Sequence, residues 1–158
     1  MKRFDRYYNK SLPPGVGLFL CDPENKNRTA EEFVIRLLSL NFEFNIDNFI
    51  LLLTKTFTPC GPYLTPRIVI NVVNETDEFE FIKEEENANL LKEFIHYNIR
   101  SRITISSWVF ELLKSIDNKY GTRFQHFLST EVLKLDNMKF SRYKRYLEFV
   151  TRQDGAII

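Results

Sequence analysis

Apolar side chains recur along this chain at intervals of three and four, which is the spacing of one face of an α-helix. Ala30, Phe33, Val34, Leu37 and Leu38 form the first such set. They stand behind Thr29-Ala-Glu-Glu32, a capping box in which the threonine hydroxyl accepts from the backbone of Glu32 while the Glu32 carboxylate reaches back. A helix is predicted over 29–40. A second, over 46–57, is apolar throughout Phe49-Ile-Leu-Leu-Leu53 and is stopped by Pro59, Gly61 and Pro62, so it belongs in the middle of the fold.

The run Ile68-Val-Ile-Asn-Val-Val73 is β-branched and fits a strand as well as a helix. Thr65 followed by Pro66 is an N-cap with proline at the first helical position, and no pairing partner for a strand is evident, so helix is the expectation. Residues 75–86 read as a loop or the start of a helix. The next helix spans 86–99 with Leu91, Phe94, Ile95 and Ile99 on one side. Ile105, Trp108, Val109, Leu112, Leu113 and Ile116 make the clearest amphipathic stretch, with Trp108 expected to pack in the core and Gly121 closing the helix as a left-handed cap. Thr122 with Gln125 suggests another capping box, for a helix carrying Phe124, Phe127, Leu128, Val132 and Leu135. A last helix, capped by Asp136 or Asn137, carries Phe140, Tyr143, Leu147 and Val150.

The expected fold is therefore all-α: six or seven antiparallel helices in a bundle or in stacked helical hairpins. Residues 1–27 hold Pro13, Pro14, Gly15, Gly17 and Pro23 and are read as an extended N-terminal arm, tied to the body by Leu18 to Cys21. Residues 28–155 form a single helical domain.

Length and composition agree with this. At 158 residues, 44% hydrophobic and 15% aromatic, the chain can bury a core and is not a disordered segment. No apolar run approaches the roughly 18 residues of a membrane span, and the start has no hydrophobic leader, so an intracellular location, cytoplasmic or nuclear, with no membrane partner is expected. Two cysteines, Cys21 and Cys60, lie apart from each other and from any metal-ligand spacing; both are expected as reduced thiols.

The chemistry of catalysis finds little support. His96 and His126 stand on predicted helices and are read as partly exposed helix histidines, since a histidine-dependent hydrolase would need a nucleophile and an orienting carboxylate brought in from afar. No phosphate-binding glycine loop, nucleophile elbow or His-Glu-x-x-His is present, so neither an enzyme, a cofactor, a metal nor a small-molecule substrate is expected.

Charge is more informative. The net charge is +1, yet it is segregated. Lys2, Arg3, Arg6 and Lys10 against Asp5 give the N-terminal arm +3, with Tyr7 and Tyr8 interleaved. Residues 75–86 hold seven acids and Lys83, a balance of −6. Residues 139–152 hold five basic side chains and Glu148, a balance of +4. On the last helix Arg142, Arg145, Phe149 and Arg152 line up, an aromatic ring among guanidinium groups, which suits contact with another protein. These four are the candidate partner-binding residues. The alternative is a nucleic-acid-binding domain that uses Lys2, Arg3, Arg6, Tyr7, Tyr8, Lys10 and Lys144, with the tyrosines and Tyr143 as stacking groups. The first reading, a non-enzymatic adaptor or regulatory module for protein–protein interaction, is preferred.

The segment Arg28-Thr-Ala-Glu-Glu-Phe-Val-Ile-Arg-Leu-Leu38 resembles the opening helix of the N-terminal helical (REM-type) domain of Ras-type guanine nucleotide exchange factors, which commonly shows Gly-Thr, a Glu two residues after the Thr, then Val and Leu-Leu. Asp47, Phe49, Leu51 to Thr54 and Phe57-Thr-Pro59 are similar to its next signature, one residue short in spacing, and Arg67 with Asn71-Val-Val73 to a third. Arg28 stands in place of the usual glycine, and the helix between the second and third signatures is absent or shortened. The resemblance implies a non-catalytic, supporting or partner-binding helical module.

Overall fold

The computed structural model describes Tyr7, Lys10 and residues 12–55, 66–100 and 108–132. Every regular element among the described residues is helical. In order they are α1 Val16–Leu20, a 3-10 turn Pro23–Asn27, α2 Ala30–Ser39, α3 Ile46–Lys55, α4 Pro66–Glu75, a second 3-10 turn Glu80–Lys83, α5 Glu85–Arg100, α6 Trp108–Tyr120, and α7 Phe124–Phe127, which runs on as a π-helical turn Leu128–Val132.

The capping box forms as its sequence predicts. The Glu32 amide donates to Thr29 Oγ1 at 3.1 Å and the Thr29 amide donates to Glu32 Oε1 at 2.8 Å. The Thr29 amide, then the Thr29 hydroxyl, hold the Glu32 carboxyl below its usual range. Behind the cap, Ala30, Phe33, Val34 and Leu37 are buried. Leu38 is not: it is 51% exposed, and with Ile35 it forms an outward apolar pair on α2.

In α3 the residues Phe49, Ile50, Leu51, Leu52 and Leu53 are all buried. Five consecutive side chains sweep the whole circumference of a helix, so α3 is covered on every side, as its composition demands. The β-branched run is helix, from Pro66 onward. α4 packs between α2 and α6 and buries Ile68, Val69, Ile70, Val72 and Val73, leaving Arg67, Asn74 and Glu75 outside. Burial outweighs the modest propensity cost of β-branching. In α6 the predicted face is buried through Val109, Leu112, Leu113 and Ile116. Ile105, the Trp108 side chain, Leu135 and the helix expected after Asp136 lie outside the described residues.

Three expectations are corrected. The extended arm does not persist through residue 27: α1 and the first 3-10 turn occupy it, with Val16, Phe19, Leu20 and Asn25 buried. The punctuating residues sit at helix starts rather than interiors. Gly15 takes a left-handed conformation (φ 88°) as the N-cap of α1, and Pro23 takes the first position of the 3-10 turn, where its missing amide hydrogen costs nothing. Phe19 stacks on Phe33 at 5.1 Å between ring centroids, and the Arg28 and Arg36 guanidiniums lie over the Phe19 ring, which fastens α1 to α2. Its neighbour Leu18, expected to help tie the arm down, points outward.

Second, Cys21 is disulfide-bonded rather than a reduced thiol. The sequence's other cysteine, Cys60, lies outside the described residues.

Third, the Thr122/Gln125 capping box does not form. Arg123 is the N-cap of α7, left-handed at φ 64°, with no side-chain cap bond. The acceptor comes from α6 instead. Asp117 takes the amides of Phe124 and Gln125, each at 2.8 Å, and the Thr122 hydroxyl at 2.5 Å. Gly121, left-handed at φ 67°, ends α6 as predicted and turns the chain so that α7 starts beside that carboxylate. Asp117→Asn keeps the size but loses the charge and an acceptor oxygen. It is expected to cost about 1–2 kcal/mol, read as a lower urea midpoint; an unchanged midpoint would show that the corner closes without this cap.

Candidate interaction surface

The described residues offer one strongly charged surface, and it is built on an aromatic floor. Between α4 and α5 the chain alternates inward apolar and outward acidic positions. Phe79 and Ile82 are buried, while Glu75, Asp77, Glu80, Glu84, Glu85 and Glu86 are exposed. Phe79 meets Phe49 of α3 at 5.1 Å and Phe44 at 5.4 Å; Phe44 meets Phe42 at 5.1 Å, and Phe81 sits 6.0 Å from Phe79. Most of these contacts are edge-to-face, the arrangement that ring quadrupoles favour. The acids are therefore presented from a rigid base. Glu85 and Glu86 also lie in the first turn of α5, where the helix dipole favours negative charge.

Little within the described residues neutralises this ridge. Lys83 reaches Glu80 at 3.4 Å, an exposed pair of small energetic consequence. Lys119 of α6 contributes more. Its ammonium donates to the carbonyls of Val73, at 2.8 Å, and Thr76, and lies 3.2 Å from Asp77 Oδ1. A cation is thus placed where the last carbonyls of α4 lack helical partners. Next to it the Tyr120 hydroxyl is buried without a hydrogen-bond partner among the described residues. Burial, then the charges of Asp77 and Glu80, push its pKa up.

The residues singled out from the sequence are not gathered here. Arg142, Arg145, Phe149 and Arg152 lie outside the described residues, as do Lys2, Arg3, Arg6, Tyr8, Tyr143 and Lys144. Lys10 is exposed. Tyr7 corrects its assignment as a stacking group: it is 2% exposed, its hydroxyl donates to Asp47 Oδ1 at 2.6 Å, and its ring meets the edge of Phe94 at 6.3 Å. A ring enclosed in this way has no face to offer a base.

The histidines stand apart in role. His96 is half-buried beside Phe127, with ring centroids 6.4 Å apart, and His126 is exposed. Among the described residues no group of three or more His, Cys, Asp or Glu side chains is placed to hold a metal ion, and no helix is long and apolar enough to cross a membrane.

Sequence reasoning missed Asp117, Lys119 and the Tyr7–Asp47 pair. Each acts across the fold or around a corner, and none carries a local spacing signal. No protein-family model matches the chain, and neither a curated protein nor a solved structure does.

Proposed function

We propose that this chain is a non-enzymatic, all-α protein–protein interaction module of the adaptor or regulatory kind, whose partner is another protein met by Arg142, Arg145, Phe149 and Arg152. The observation that carries this reading is the separation of charge. The described body displays an acidic ridge on a rigid aromatic base, while the sequence concentrates basic and aromatic side chains in 139–152. A protein partner with both signs of charge can satisfy both regions. A polyanion is attracted by one and repelled by the other.

That asymmetry weighs against the second reading, a nucleic-acid-binding domain using Lys2, Arg3, Arg6, Tyr8, Lys10 and Lys144, and the burial of Tyr7 takes one stacking group from it. The resemblance to the helical domain of Ras-type exchange factors suggests a narrower role, a supporting module for a separate domain. The formed capping box at Thr29 favours it. Arg28 counts against it: its guanidinium donates to Asp22 at 3.1 Å and Asn25 at 2.6 Å, contacts that a glycine lacks. For the compartment, a cytoplasmic or nuclear location fits an adaptor, whereas the Cys21 disulfide fits an oxidising environment.

Affinity capture from a native extract, with and without nuclease, tests the main reading. The double charge reversal Arg142→Glu with Arg145→Glu is expected to lose the captured protein, and nuclease is expected to leave it bound. Capture that survives the reversal removes this surface, and capture that nuclease abolishes selects the nucleic-acid reading.

A further inference from the structure

Two asparagines among the described residues stand in the pattern Asn-x-Thr with x other than proline: Asn27-Arg28-Thr29 and Asn74-Glu75-Thr76. This is the acceptor pattern for asparagine-linked glycosylation, in which the transferase recognises the hydroxyl two positions after the asparagine. Both asparagines are exposed, Asn27 at the end of the first 3-10 turn and Asn74 in the last turn of α4. Neither carboxamide makes a hydrogen bond among the described residues. The asparagines that do bond through their amide nitrogen, Asn25, Asn45, Asn48, Asn87 and Asn98, stand outside this pattern. A second observation is independent of the motif. Cys21, on the same stretch between α1 and α2 as Asn27, is disulfide-bonded, and disulfides persist in the oxidising compartments through which glycosylated proteins pass.

We propose that Asn27 and Asn74 are N-glycosylation sites and that this chain matures in an oxidising secretory compartment. In the reaction the asparagine Nδ2 attacks C1 of the first sugar of a lipid-diphosphate-linked oligosaccharide. A nitrogen–carbon bond forms, the bond from C1 to the diphosphate oxygen breaks, the lipid diphosphate leaves and the amide nitrogen gives up one proton. The folded chain must then carry a bulky polar group at each position. Both positions allow it, since each side chain is exposed and no hydrogen bond is lost. The threonines serve the fold as well: Thr29 caps α2, and the Thr76 hydroxyl donates to the Val72 carbonyl at 2.7 Å and accepts from the Glu78 amide at 3.2 Å. Asn74 stands beside the acidic ridge, so its glycan bounds the face left open to a partner. Glycosylation at these sites is independent of the partner's identity and belongs to the oxidising environment that the Cys21 disulfide fits.

The test takes the full chain purified from its native cells and treats it with peptide N-glycosidase in heavy-oxygen water, which turns each glycosylated asparagine into an isotopically marked aspartate. Mass spectrometry then reads the Glu-C fragment Asn25–Glu31 and the tryptic fragment Ile68–Lys83, each of which holds one acceptor. The mark is expected on Asn27 and Asn74, and on neither in an aliquot kept from the glycosidase. Asn27→Gln and Asn74→Gln, expressed in the same cells, are each expected to lose one glycan from the intact mass. Both are expected to keep the wild-type urea midpoint once glycans are removed, because neither side chain bonds within the fold. Unmarked asparagine at both positions overturns the proposal, and unmarked asparagine at one overturns the assignment of that residue. Marks that appear equally without the glycosidase also overturn it, since they record spontaneous deamidation, as does a variant that keeps the full wild-type glycan mass.

Discussion

Phe49→Ala is expected to lower the stability of the chain by about 3–5 kcal/mol, the range for removing a buried phenylalanine from a packed core. Phe49 is fully buried on α3, and its ring is shared by Phe79, at 5.1 Å, and Phe81, at 6.3 Å. Both partners belong to the segment that leads into α5, so the substitution opens a cavity and also loosens the base of the acidic ridge. Single domains are stable by only about 5–15 kcal/mol, so the variant stands close to unfolding. Urea denaturation followed by tryptophan fluorescence measures the change. A loss below about 1 kcal/mol would mean that the site collapses to refill the space, and that the ring column does not hold the segment in place.

Cys21→Ser is expected to cost about 2–4 kcal/mol, because the cross-link removes conformations from the unfolded chain that the variant regains. Cys21 follows directly on α1, and the same short region is fastened by the Phe19–Phe33 stack. Wild-type protein treated with a reductant should fall to the urea midpoint of Cys21→Ser, while the variant should not respond to reductant at all. A wild-type midpoint that is the same in both conditions would show that the bond adds nothing to the fold. The comparison also reports the state of the thiols as purified, which bears on the compartment.

Phe49 and Cys21 differ in how well the sequence announces them. Phe49 stands in a run of five apolar residues that no exposed helix tolerates, and its burial follows from that run alone. Cys21 carries no such signal. Its composition and spacing fit a reduced thiol, and the bond depends on a neighbour in space. α4 is an intermediate case. Its β-branched residues favour a strand locally, the proline at its first position favours a helix, and packing between α2 and α6 supplies the burial that a helix of this composition needs. Leu38 shows the limit of periodicity from the other side. It continues the apolar face of α2 by spacing but lies at the edge of that face, where it stays exposed.

The proposed interaction surface divides in the same way. Its acidic half is legible in the amino-acid order alone, since like charges concentrated within a dozen positions are solvated wherever they lie. Its rigidity is not legible there, because the five rings beneath it come from separate stretches of chain.

Helix content, the Thr29 capping box, the left-handed Gly121 and the covered circumference of α3 were determined by the sequence itself, since each depends on residues within two turns of one another. The Asp117 cap on α7, the Lys119 cation at the end of α4, the enclosure of Tyr7 against Asp47 and the state of Cys21 were decided by tertiary structure. A side chain that bonds around a corner or across the core chooses its partner by distance in space, and the packing of the helices sets that distance.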